Sequence, residues 1–317
     1  MQRMFSHSYI PSLAEKYALV DKYPARQYNI HRYDNGRARM SKKKCRRIIA
    51  ATVLALVIIL AFFAFDSRLI IREYDIDAGI GEGMRIALVT DLHSCRYGEG
   101  QQKLISAVQE QQPDIVLLGG DIFDDDMPDA NARTFLTVVS KDYPCYYVTG
   151  NHEYWSGGED FAAKMAVLEE CGIPVLSGKC ETLQFEGKSI AICGVDDPEA
   201  AILNESFSLG AQLNAAAEAA ERADYAVLLA HRPENIDIYA ECGFDLVLSG
   251  HAHGGQWRIP GIMNGLYAPN QGFFPEYAGG RYEKDGTTMI VSRGLAREST
   301  RIPRIFNRPE LVMVDIK

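Results

Sequence analysis

A chain of 317 residues, 47% apolar and with a formal charge of -9, has enough apolar surface for one large globular domain or two small ones. The charge is unevenly placed: residues 1–47 hold twelve of the 33 Lys/Arg and three of the 42 Asp/Glu, a net of +9, which leaves -18 on residues 48–317. Bulk binding to nucleic acid needs clustered cations facing phosphates, and so acidic a body excludes it.

Residues 1–40 carry five tyrosines and scattered basic residues, with no sustained period beyond a short helix expected over 12–20. Such a tail suits disorder, or contact with anionic lipid headgroups. Met40 would open a good signal-anchor sequence by itself, so Met1 and Met40 both stand as starts. After Lys42-Lys43-Lys44-Cys45-Arg46-Arg47 come eighteen uncharged residues, 48–65, with Thr52 the lone polar one. At 1.5 Å per residue, a helix of that length reaches roughly 27 Å, enough for the hydrocarbon core of a bilayer. A cleaved signal peptide would have a shorter apolar core and an Ala-x-Ala site, which is missing around 62–66. Seven Lys/Arg within 37–47, against Arg68 and Arg72 after the run, put the N-terminus in the cytoplasm. The expected organisation is a cytoplasmic basic tail (1–47), a single-pass signal anchor in the cell membrane (48–65), a linker (66–83) and an extracytoplasmic main domain (84–317).

Beyond the linker, apolar runs bounded by turn residues read as buried strands and longer periodic stretches as helices. In order they are strand 85–90, helix 101–111, strand 115–118, helix 131–140, strand 146–148 and helix 158–171. A hairpin turns at Glu186-Gly187-Lys188, between 180–185 and a strand at 190–195. Helix 209–222, strand 226–230, helix 233–242 and strand 246–249 follow. Residues 255–286, rich in Gly, Pro and aromatics, show no regular pattern, and a loop that long is usually functional. Strands at 289–292 and 311–316 come last. This alternation implies an α/β sandwich. Six cysteines lie in the main domain, mostly where buried free thiols are common, with Cys171–Cys180 the favoured exception.

Five of the seven histidines stand at the ends of those strands. Asp91 and His93 follow the first, Gly119-Gly120-Asp121 closes the second, and Gly150-Asn151-His152-Glu153 follows the third. His231 ends another strand, and Gly250-His251-Ala252-His253 the next. Ligands of α/β sheets bind beyond the carboxyl ends of strands, so Asp91, His93, Asp121, Asn151, His231, His251 and His253 are expected on one rim. In extended Asp-x-His and His-x-His segments, alternate side chains would point inward together. Imidazole, amide and carboxylate without cysteine suit Mn, Fe, Zn or Co better than a closed structural zinc site. Asp124-Asp125-Asp126 reads as a solvated acidic loop, since no calcium-loop spacing follows it.

The ordered set Asp-x-His, Gly-Asp, Gly-Asn-His-Glu, His and Gly-His-x-His resembles the calcineurin-like metallophosphoesterase superfamily, over about residues 84–308. Gly-His-Ala-His-Gly-Gly-Gln (250–256), His-Arg-Pro-Glu (231–234) and the segment 301–310 resemble its membrane-anchored bacterial subgroup; Ala252 and Ala296 stand where Thr and Gly are usual. The resemblance implies a four-layer α-β-β-α sandwich and two divalent metal ions, with Mn favoured and Fe, Zn or Co as alternatives. It implies that Asp91, His93 and His253 hold one ion, Asn151, His231 and His251 the other, and Asp121 both. His152, beside a ligand but not needed as one, is expected to meet the substrate as a catalytic acid, with Glu153 supporting the ligands. Arg96, Arg232 and Arg258 are nearby cations suited to a second phosphate, although each alone reads as surface. The aromatics Tyr267, Phe273, Phe274 and Tyr277 either touch lipid or cap the site. The implied function is two-metal hydrolysis of a phosphodiester or pyrophosphate, in a lipid-linked or envelope substrate. The alternatives are a phosphomonoesterase or nucleotidase, and a non-catalytic metal-binding scaffold.

Overall fold

A computed structural model describes residues 41–317 apart from 82, 300 and 301, so the helix expected over 12–20 lies outside the described residues. The chain divides into two units, Met1–Val53 and Leu54–Lys317. The uncharged run belongs to helix α1 (Lys42–Ala64), which is long and apolar enough to cross a membrane.

Valine-, isoleucine- and leucine-rich runs become strands here because most find apolar cover on both faces. In chain order the elements are β1 (Ile70–Ile76), β2 (Met84–Val89), α2 (Gln102–Gln111), β3 (Ile115–Gly119), α3 (Ala130–Asp142), β4 (Cys145–Val148), α4 (Asn151–Trp155) and α5 (Gly158–Glu170). They continue with β5 (Lys179–Phe185), β6 (Lys188–Gly194), α6 (Leu209–Ala220), β7 (Tyr225–Leu229), α7 (Ile236–Glu241) and β8 (Leu246–Ser249). The last are β9 (Tyr267–Ala268), β10 (Gly272–Phe273), β11 (Gly280–Lys284), β12 (Thr287–Val291) and β13 (Glu310–Ile316).

Among the described residues a five-stranded sheet runs β1-β13-β2-β3-β4, and a six-stranded sheet runs β11-β12-β8-β7-β6-β5. Ile86, Leu88, Leu117 and Val148 of the first meet Ile192, Val227, Leu229 and Leu248 of the second in a shared core. Leu104, Phe135 and Leu168 bring α2, α3 and α5 onto the outer face of the first sheet. Leu213, Ala216 and Tyr239 do the same for α6 and α7 on the second. This is the four-layer α-β-β-α sandwich that the sequence led us to expect. Each sheet contains a run of adjacent parallel strands: β2, β3 and β4 in one, β6, β7, β8 and β12 in the other.

Three details differ from expectation. The stretch expected as linker holds β1, paired in parallel with β13 from Ile70–Glu310 to Ile76–Ile316. Adjacent Arg72 and Glu73 interrupt its alternation, which an edge strand with one neighbour tolerates. Cys171 is free, and Cys180 pairs instead with Cys193, which lies directly opposite it in the β5–β6 hairpin with Cα atoms 4.0 Å apart. Antiparallel register thus decides the pairing that spacing left open. Within 255–286 the long loop contains the small β9–β10 hairpin as well as β11.

Candidate metal centre

Three of the blocks leave their strands through left-handed backbone. Asp91 (φ 50°), His93 (46°), Asp121 (51°), His251 (63°) and His253 (47°) all occupy that region. Side chains converge because the chain turns, and the expected extended alternation is absent. Non-glycine residues rarely sit there, and such strain persists only where the surroundings fix it. Here neighbouring turns fix one another: the Asp91 N–H donates to the Gly120 carbonyl at 3.0 Å, and that of His93 to the Asp121 carbonyl at 2.9 Å. Glycine is required at two contacts. A Cβ on Gly150 would lie 2.2 Å from Asp121 Oδ1, and one on Gly250 2.5 Å from Asp91 Oδ2.

Two buried donor groups result. Asp91, His93, Asp121 and His253 form one and Asp121, His231 and His251 the other, with the donor atoms of each within 4.8 Å of one another. Asp121 belongs to both, its Oδ2 lying 3.7 Å from His93 Nε2 and 3.1 Å from His231 Nε2. Asp91 Oδ1 is 3.7 Å from His253 Nε2. Asn151 opens α4 fully buried, and the backbone N–H of His152 donates to Asp121 Oδ1 at 2.9 Å. All seven expected ligands therefore lie buried just beyond the strand ends, with Asn151, at the start of α4, outside the two donor groups.

Tautomers follow from hydrogen bonding. The Gly119 carbonyl only accepts, so His231 donates through Nδ1 at 2.8 Å and its Nε2 faces inward. His93 likewise gives its Nδ1 proton to Asp124 Oδ2 at 2.8 Å. Asp91 Oδ2, His93 Nε2, Asp121 Oδ2, Asn151 Oδ1 and His253 Nδ1 are buried without a hydrogen-bond partner. One such atom costs about 1–3 kcal/mol, so five together call for cations among them. Electrostatics agree. Burial, reinforced by nearby cations, drives His251 and His253 well below the ordinary imidazole range, leaving both neutral with lone pairs to offer. Burial also opposes charge on His231, yet Asp121 outweighs it and holds the imidazole up at about 10. Burial works against the Asp121 carboxylate too, but His231 and its neighbours keep it well below the usual range. The gap between these residues thus demands positive charge, from protons or from divalent metal.

A model of the calcineurin-like phosphoesterase family matches residues 84–255, which hold all seven candidate ligands. The chain belongs to the calcineurin-like phosphoesterase family. It is 29% identical over 218 residues to an uncharacterized metallophosphoesterase of Helicobacter pylori strain J99, across 67% of this chain and 54% of that protein. The chain thus spans about half the length of that relative. It is 27% identical over 245 residues to the uncharacterized metallophosphoesterase YkuE of Bacillus subtilis, covering 74% of this chain and 80% of that one. With the phosphodiesterase YaeI of Escherichia coli K12 it shares 26% over 236 residues, covering 73% and 82%.

Around this candidate site, several residues correct the sequence reading. Asp124 is buried and orients His93, while Asp125 accepts from His152 Nδ1 at 2.5 Å, so the acidic run is not simply solvated. Its place just after Gly-Asp was the available signal. Arg232 is buried rather than on the surface, gripped by Asp197 at 2.5 and 2.8 Å. Asn270, at the tip of the β9–β10 hairpin, accepts from Arg232 Nη1 at 2.6 Å and lies 2.9 Å from His251 Nε2. No motif marked it. Arg258 bonds to Gly254 and Asn264, and Arg96 to Gly98. Glu153 does support the ligand loops: its two oxygens accept from the N–H groups of Asp121, Phe123 and Gly150 and from the Tyr147 hydroxyl, at 2.7–3.1 Å.

Proposed function

We propose that this chain is a metal-dependent phosphoesterase that cleaves phosphodiester or pyrophosphate bonds in a lipid-linked or envelope substrate. The observation that carries the reading is the Asp121 carboxylate, shared by both donor groups. Asp91, His93 and His253 would hold one divalent ion, Asn151, His231 and His251 a second, and Asp121 both. Mn is favoured, and Fe, Zn or Co also suit such mixed ligands. When bound, two such ions clamp phosphoryl oxygens and make water nucleophilic near neutral pH.

The rest is the work of the chain. Gly119 and Asp124 take the Nδ1 protons of His231 and His93, which turns both Nε2 lone pairs inward. Asp125 holds the His152 ring through Nδ1, leaving Nε2 to hand a proton to the leaving oxygen. Arg232, clamped between Asp197 and Asn270, is a fixed cation for substrate charge beside the second group.

The flanking charges of α1 favour a cytoplasmic N-terminus and an outward catalytic domain. A Cys180–Cys193 disulfide suits an oxidising compartment. The test is the Mn-loaded full chain in detergent, assayed on p-nitrophenyl phosphate, bis-p-nitrophenyl phosphate, nucleotide sugars and polyprenyl pyrophosphates. Diester or pyrophosphate turnover is expected, with loss of both ions in Asp121→Asn. Monoester turnover alone would make it a phosphomonoesterase or nucleotidase. An Asp121→Asn variant with both ions and full activity would refute the shared-carboxylate reading.

A further inference from the structure

Exposed apolar side chains are not scattered over the catalytic unit. Of the eleven large ones exposed beyond residue 65 among the described residues, six lie within eighteen positions: Trp257, Ile259, Ile262, Tyr267, Phe273 and Phe274. Ile262 is 84% exposed, Phe273 72% and Phe274 69%, values that a soluble surface rarely gives so close together. They occupy two successive turns. In one, Ile259 and Met263 close a tight loop with Ile262 near its tip. In the other, Tyr267 and Phe273 pair across the β9–β10 hairpin with ring centroids 5.4 Å apart. Trp257, Tyr267 and Phe273 share one apolar groove of about 350 Å³.

The same turns are tied by backbone to the end of the apolar helix. The Arg258 N–H donates to the Ile305 carbonyl at 2.9 Å, and the Trp257 indole to the Pro303 carbonyl at 3.0 Å. One residue further on, the Phe306 N–H donates to the carbonyl of Ala64, the last residue of α1, at 2.7 Å. The aromatic turns are thus held close to where an α1 span would leave a bilayer.

From this we propose that the two turns form a second membrane contact, a face that sinks its aromatic and aliphatic side chains into the lipid interface beside the anchor. Tryptophan, tyrosine and phenylalanine favour that depth. The hairpin also carries Asn270 against His251 and Arg232, so the docked face sets the active-site mouth at headgroup level. The inference needs α1 to span a bilayer but not the proposed reaction.

The chain has two tryptophans, which makes the test direct. Full-length Trp155→Phe, with Trp257 as its lone tryptophan, is reconstituted into phosphatidylcholine vesicles with plain or brominated acyl chains. Trp257 emission should be blue-shifted in plain lipid and lost in brominated lipid. In the complementary Trp257→Phe chain, Trp155 should emit equally in both. Phe273→Ser with Phe274→Ser should lift the quenching of Trp257 while the chain still floats with vesicles. A floating chain whose Trp257 is unquenched would keep the anchor and overturn the docking face. A chain that does not float would overturn both. Emission that is blue but unquenched, and that varies with protein concentration, would put a second copy on this face and equally refute lipid docking.

Discussion

Replacing His152 with alanine isolates proton donation from metal binding. The ring is about a quarter exposed, with 24% of its side-chain surface open, so truncation should cost little stability. Its backbone N–H bond to Asp121 Oδ1, at 2.9 Å, survives the change, and the shared carboxylate stays in place. What disappears is Nε2, the nitrogen left free once Nδ1 is committed to Asp125 at 2.5 Å. A positioned acid contributes roughly 10²–10⁴ in rate, or about 2.7–5.4 kcal/mol at 1.36 kcal/mol per decade. The assay is kcat/KM for aryl phosphodiesters of graded leaving-group acidity, with metal content measured on the same samples. Phenol esters should fall toward the upper end of that range and p-nitrophenol esters toward the lower, with both ions retained. An equal loss for every leaving group would assign His152 to charge stabilisation, and no loss would remove it from the reaction.

The neighbouring carboxylates should separate: Asp125→Asn should lower turnover with metal intact, whereas Asp124→Asn, acting through His93, should weaken metal binding about 10–100-fold in a competition titration. Glu153→Gln should be costly, because four donors surround its two oxygens and an amide can serve only half of them. Two orphaned donors at about 1–3 kcal/mol each should lower Tm by on the order of 10 °C in a scanning calorimeter. Non-reducing peptide mapping should find Cys180 joined to Cys193 and leave Cys95, Cys145, Cys171 and Cys242 open to alkylation after unfolding. Protease added to cells stripped of wall should digest the catalytic domain and spare an N-terminal tag; a domain protected until lysis would reverse the orientation.

The candidate site was legible in the sequence to the extent that residues suited to metal stand at strand ends, which the sheets bring together. Asp91, His93, Asp121, His231, His251 and His253 declare themselves by side-chain type alone. Their backbone did not: Asp and His enter the left-handed region more often than most residues but still rarely, so its use at Asp91 and His253 depends on tertiary contacts. The residues that were missed act through partners remote in sequence. Asp124 matters because His93 lies 31 positions away, and Asn270 because Arg232 lies 38 positions away. Arg232 looked like surface until Asp197 was beside it. Strand β1 was hidden for a related reason, since among the described residues it pairs with β13 alone.

That last pairing bears on how the protein comes into being. In the order β1-β13-β2-β3-β4, β13 separates two strands that precede it by most of the chain, and Arg85 on β2 meets Asp315 on β13 across 230 positions. Until β13 has been synthesised, the facing edges of β1 and β2 stay unpaired, open to wrong partners. Closing so long a loop is slow, and it must precede completion of the sheet that presents Asp91 and His93. The two donor groups should therefore assemble only after β13 has left the ribosome, and loss of β13 should yield aggregation rather than a folded chain with weakened metal binding.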